Sequence, residues 1–169
     1  MRVTWKVLFK LDELDALLSK LSQLEGKKLI LALRPAMLAL IQPKFLEEPC
    51  EGIIILVASC LSHIMRLTAL IPPFNDEVMR RVFKLIVETF QDLDNNESPT
   101  FEKKLQILEV MAINRTYEVM FDLECDGLIL KMFQCFFNIR KHHPNRVIEN
   151  MQSILSSCMR GHDSICWEL

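Results

Sequence analysis

Apolar residues recur along this chain at helical spacing, in runs separated by proline, asparagine and glycine. Apolar positions three and four residues apart give a helix one face that has to be buried. "LDELDALLSKLSQLEG" (11–26) predicts a first amphipathic helix, with Leu14, Leu17, Leu18, Leu21 and Leu24 on its stripe and Gly26 as its stop. "KKLILALRPAMLALIQ" predicts a second, kinked or restarted at Pro35, since proline has no N–H to give to the carbonyl four residues back. Pro43 and Pro49 bracket a short connector, "KFLEE". Residues from about 52 to 70, "GIIILVASCLSHIMRLTAL", are apolar almost all round, the pattern of a helix enclosed by neighbours, and Pro72 and Pro73 end it.

Asn75 or Asp76 is placed to cap the next helix, whose stripe is Val78, Val82, Leu85, Ile86, Thr89 and Phe90. Arg80, Arg81 and Lys84 lie off that stripe. After the polar linker "DNNESPT", Ser98 reads as an N-cap, Pro99 as the first helical residue and Glu102 as a first-turn acid. Phe101, Leu105, Leu108 and Met111 or Ala112 then point inward. A short segment around "NRTYEVMFDLE" leads to the helix "DGLILKMFQCFFNIR", which "HHP" breaks. Asn145 caps a last helix with Val147, Ile148, Met151, Ile154, Leu155 and Cys158 on one side. Starts near 53, 100 and 146 lie about 47 and 46 residues apart, the period of HEAT and armadillo repeats. The fold expected is therefore all-α: a partial HEAT/armadillo-like α-solenoid of about seven helices, one repeat region over 1–169. A closed helical bundle is the alternative.

Half of the 169 residues are hydrophobic and only four are glycine, which suits a sizeable helical core rather than a turn-rich sheet protein. The net charge of −2 offers no basic footprint, so direct nucleic-acid binding is not expected. The longest apolar run, "IIILVASCL", is half of a membrane span, and the opening "MRVTWKVLFK" carries charges where a secretory leader has an apolar core. Six cysteines, with Cys60, Cys135 and Cys158 inside apolar stripes, read as reduced thiols that fill the core.

Two patterns invite a metal reading. Asp122, Glu124 and Asp126, followed by Gly127, match the first half of a calcium loop. Counting from Asp122, however, the closing position that needs a bidentate glutamate is Phe133, so these acids read as a bend between two helices with Asp126 capping the second. Cys158, His162 and Cys166 fall four residues apart, but Gly161 interrupts the helix and no fourth zinc ligand is near. His142 and His143 sit in a break, and His63 lies on the buried helix, where it reads as a core residue rather than a catalyst. No glycine-rich phosphate loop, GxSxG or HExxH is present, so nothing calls for a cofactor or a catalytic role.

"LVASCLSHIMRLTA", "NDEVMRRVFKLIVETFQDLD", "KKLQILEVMAINRTYEVMFDLECDGLILKMFQCFF" and "HHPNRVIENMQSIL" together resemble the amino-terminal HEAT-repeat region of plant cohesin cofactors, the precocious-dissociation-of-sisters family of sister-chromatid cohesion proteins. "VMFDLECDGLILKMF" and "HHP" are the most specific pieces. The resemblance implies a non-enzymatic solenoid, located in the nucleus on chromatin. It would associate with the cohesin complex, a release factor and an acetyltransferase, and support cell division and DNA repair. Relatives often carry an Ala-Pro-acidic-Ala-Pro-Tyr loop after the buried helix that helps dock partner peptides. Here the stretch is "ALIPPFN", so the resemblance carries the docking role onto Ala69, Pro73 and Phe74, while Leu70, Ile71 and Pro72 depart from it. Phe74 lacks the phenolic hydroxyl and Ile71 the acidic acceptor.

Family members are far longer, so the chain is expected to be truncated at its C-terminal end, with the kleisin contact outside it. A generic helical-repeat adaptor and a helical metal-binding protein remain the alternatives. A cut solenoid exposes an apolar face. Self-association is therefore expected, and light scattering at micromolar concentration should show it; a monodisperse monomer would contradict it.

Overall fold

The structure, a computed structural model, describes residues 2–22, 26–47, 50–68, 72–137 and 143–161. They form helices α1 (Arg2–Lys20), α2 (Gly26–Leu40), α3 (Pro43–Leu46), α4 (Glu51–Leu67), α5 (Asp76–Glu88), α6 (Phe101–Asn114), α7 (Glu118–Asp122), α8 (Asp126–Phe136) and α9 (Asn145–Gly161), with no strand among the described residues. None of these helices is long and apolar enough to cross a membrane.

The all-round apolar pattern of α4 places it at the centre, with buried residues on every side from Ile53 to Leu67. It packs on α1 and on α6, and α6 in turn on α9, which makes one row: α1, α4, α6, α9. A second row lies against it, in which α2, α3 and α5 pack on α4, and α5 on α8. The first-row starts expected near 53, 100 and 146 fall at 51, 101 and 145, spacings of 50 and 44, while the second-row helices α2, α5 and α8 start at 26, 76 and 126, 50 residues apart. Seven longer helices and the short α3 and α7 make this an all-α, HEAT-type solenoid.

Several local expectations need correction. Helix α1 begins well before Leu11, and its inward line is Leu11, Asp15 and Leu18, with Leu14 and Leu21 half-buried. Leu17 is 62% exposed, because a step of one residue turns the helix by about 100°. Gly26 opens α2 instead of stopping α1; Leu24 lies outside the described residues. Helix α2 runs through Pro35 without restarting, and "KFL" is a helical turn led by Pro43. Helix α6 starts at Phe101 after an uncapping Thr100; Ser98 instead takes the Thr100 N–H at 3.3 Å in the preceding turn. Asn145 is the first residue of α9, whose opening N–H groups (Val147, Ile148) donate to the Pro144 carbonyl, and Ile148 stays largely exposed. The expected cap of α5 holds: Asn75 Oδ1 accepts from Val78 N at 3.0 Å, with Asp76 and Glu77 at the positive end of the helix.

Helix ends are closed by cations from neighbouring helices. Arg66 of α4 donates to the carbonyls of Leu18 (2.9 Å) and Leu21 (3.0 Å) at the end of α1; the Leu18 carbonyl also accepts from Leu21 N–H at 3.3 Å. Arg80 of α5 does the same for Leu123 at the end of α7 (3.0 Å). Surface pairs join row neighbours: Arg146 to Glu109 (2.9 Å) and Lys131 to Glu88 (3.3 Å). Exposed pairs of this kind contribute roughly 0–1 kcal/mol each.

Beneath these lies a buried polar cluster. Asp15 of α1 accepts from Lys103 of α6 at 2.6 Å, reaching past α4, and His63 Nε2 of α4 lies 3.8 Å from the other carboxylate oxygen. Asp15 is 1% exposed and His63 7%. Burial lowers the pKa of His63 below its ordinary 6.5, and Arg66 and Lys103 push the same way, against Asp15. The Cys60 thiol, which points at the Leu11 carbonyl (3.7 Å), is pushed far up, first by burial and then by Asp15.

Two predictions follow from this geometry. The chain turns from α7 into α8 at Glu124, in the left-handed region (φ 53), with Glu124 N–H donating to Phe121 (2.9 Å) and Cys125 N–H to Met120 (2.9 Å). Glycine is at ease there, so Glu124→Gly should raise stability by about 0.5–1 kcal/mol in urea unfolding; a loss would contradict the strain. His63 sheds its proton on folding, so below pH 6.5 the unfolded chain binds the extra proton. Stability should therefore fall as pH drops through 6.5 and level off below the lowered folded value. His63→Gln should flatten that part of the urea-midpoint profile, and an unchanged slope would rule His63 out as its source.

Candidate functional site

The acidic run is a joint. The sharp turn falls at Glu124, and Gly127 lies inside α8, where an added Cβ would meet nothing within 4 Å. A calcium loop places its sharp turn at the glycine, after the ligands. Asp126 is the first residue of α8 rather than its cap; Cys125 holds the cap position, and its thiol points back at the Leu123 carbonyl (3.8 Å) instead of capping the helix. Cys158 is buried, and burial raises its thiol to about 11, with Glu118 adding to the rise. His162, Cys166 and His142 lie outside the described residues. Among the described residues no three His, Cys, Asp or Glu side chains gather as metal ligands would.

The docking expectation rests on the α4–α5 loop. Ala69, with Leu70 and Ile71, lies outside the described residues. Pro73 and Phe74 are half-buried and form one wall of an open cleft of about 450 Å3. Asn75 and Val78 continue that wall into α5, and Asn75 is already occupied as the cap. The facing wall is α2, which presents Ile30, Arg34, Met37 and Ile41 at helical spacing, flanked by Leu31 and Leu38. Leu31 is 65% and Leu38 51% exposed. Pro35 also leaves the Leu31 carbonyl without its helical donor at this face.

The family resemblance singles out Pro73 and Phe74 but not the α2 wall opposite them. The signal was present: α2 carries more apolar residues than one buried face can use. Met37 and Leu40 face the core, while Leu31 and Leu38, seven residues apart, form a second stripe. A second cleft, of about 360 Å3, is lined by Glu51, Glu88, Asp92 and Lys104. Its charges are engaged within the fold: Lys104 with Glu51 (2.9 Å), and Glu88 with Lys131.

A sequence profile for the sister chromatid cohesion protein PDS5 matches residues 9–168. PDS5 homolog C of Arabidopsis thaliana is 37% identical over 160 residues, which is 94% of this chain and 18% of that protein. Homolog E of the same plant is 36% identical over 94% of the chain and 16% of its own length. Human PDS5 homolog A is 29% identical over 80% of the chain and 10% of its length. The chain thus spans less than a fifth of the plant relatives it matches. A chain in a solved Pds5–Scc1 complex superposes with a TM-score of 0.87 at 26% identity, over 95% of this chain and 24% of that one. By this match, from Phe9 to the last residues, the chain belongs to the PDS5 family of sister chromatid cohesion proteins, which is not a family of enzymes.

Proposed function

We propose that this chain is a helical-repeat scaffold that takes part in regulating cohesin, and with it sister chromatid cohesion in mitosis and DNA repair. It acts through protein–protein contacts, in the nucleus and on chromatin. The observation that carries this reading is the family match across residues 9–168, in the same fold as a chain in the Pds5–Scc1 complex. The fold agrees with it: Asp15 and Lys103 staple helices together, and α2 leaves Leu31 and Leu38 exposed beside the cleft, where a protein partner can cover them.

The partners we assign are the cohesin complex and its regulators, a release factor and an acetyltransferase. The kleisin contact lies in repeats beyond this chain. We assign partner-peptide docking to the cleft between α2 and the α4–α5 loop, with Pro73 and Phe74 in its wall; Ala69 joins them by family resemblance alone. Phe74 offers an aromatic face but no hydroxyl, so apolar contact replaces the polar contact of the relatives' tyrosine.

The test is a pull-down from nuclear extract with this chain and with the chain extended by further repeats. Cohesin regulators should be recovered by both, and cohesin itself more strongly by the extended form. Recovery of neither, with helical content intact, would leave a repeat protein without a cohesin link.

A further inference from the structure

We propose that the cleft beside α2 selects short peptide segments that carry apolar anchors next to a carboxylate, and that Arg34 is the residue that reads the carboxylate. This rests on the docking reading above and goes beyond it, because it assigns the chemistry of the occupant.

The lining decides the charge. Of the residues that form the cleft, Ile30, Leu31, Met37, Leu38, Phe74 and Val78 supply apolar contact, and Arg34 alone is charged. Arg34 is exposed, and its guanidinium makes no ion pair or hydrogen bond among the described residues. The other arginines that border the core are committed: Arg66 and Arg80 to helix-end carbonyls, Arg81 to Glu47 (2.8 Å). Asp76 and Glu77 are near in sequence, but they sit in the first turn of α5, outside the lining. A basic peptide would bring a second cation beside Arg34 with no acid in the lining to receive it. An acidic one finds a planar donor fork that matches a carboxylate.

Size and symmetry point to a peptide rather than a second copy. Ile30 to Ile41 spans eleven steps of α2, roughly 16 Å, the length of about five extended residues. Two copies meeting face to face would bury two Arg34 cations in one interface to which neither cleft lining contributes an acid.

The experiment is fluorescence anisotropy on the whole chain, with labelled pentapeptides Gly-X-Leu-Phe-Gly in which X is Glu, Gln or Lys. The Glu peptide should bind about fivefold tighter than the Lys peptide at low salt, the range of an exposed ion pair. Arg34→Glu, an exposed change that leaves helical content unaltered, should invert the order. Salt of about 1 M, where screening acts within about 3 Å, should erase the preference. Equal affinity for all three peptides would overturn the role of Arg34 while leaving the docking site standing. No binding at millimolar peptide, or binding indifferent to Leu38→Glu, would overturn the docking site itself. A dimer in sedimentation that Leu38→Glu dissolves would assign the cleft to a second copy and overturn the proposal.

Discussion

Helix α4 can exist only if it is surrounded, and the rest of the molecule follows from that. Twelve of its seventeen residues are buried. Its opening run of isoleucines is a weak helix former in isolation, since β-branched side chains lose rotamer freedom against the preceding turn. Packing supplies the stability that propensity does not. One helix covers only part of its circumference, so α1 and α6 flank it in its own row while α2, α3 and α5 cover it from the second. Small residues make the close approach feasible: Gly52 meets the Leu8 side chain, and Ala58 and Ser59 are buried outright. Its buried Ser62 hydroxyl is satisfied locally, donating to the Ala58 carbonyl at 2.8 Å.

A helix buried this fully also brings polar groups into the interior, and the fold uses them as joints. Asp15 and Lys103 pair over α4, tying together two helices that are not neighbours in their row. A buried carboxylate costs several kcal/mol unless it is partnered, so α1 is held in one register against α6. Arg66 and Arg80 act across helices in the same sense, giving hydrogen bonds to carbonyls at the ends of α1 and α7. The outcome is a stack whose successive repeats are pinned by directional contacts as well as by apolar burial.

The parts legible in the sequence were those governed by a single strong signal. The unbroken apolar run marked α4, the double proline its end, and Asn75 followed by two acids the start of α5. Other features depend on which neighbour a helix meets, and periodicity carries no such information. Leu17 and Leu18 look alike in sequence, yet only Leu18 faces α4. Asp15 sits on the inward line of α1 between Leu11 and Leu18; a charge on an apolar stripe was the one hint of the buried cluster, and its partner lies 88 residues away. Glu124 takes the left-handed turn that glycine usually takes, so the nearby Gly127 drew attention to the wrong residue. Of the residues that line the cleft, family resemblance singles out Pro73 and Phe74, whereas Arg34, Leu31 and Leu38 emerge only once α2 is laid opposite them.

The claim that α4 is the strut on which both rows depend is tested most directly by native-state hydrogen exchange. Amides of α4 should exchange only through global unfolding, at the full unfolding free energy, while those of α2, with one face open to solvent, exchange through smaller openings. Exchange from α4 as fast as from α2, or at a free energy well below that of global unfolding, would contradict the account.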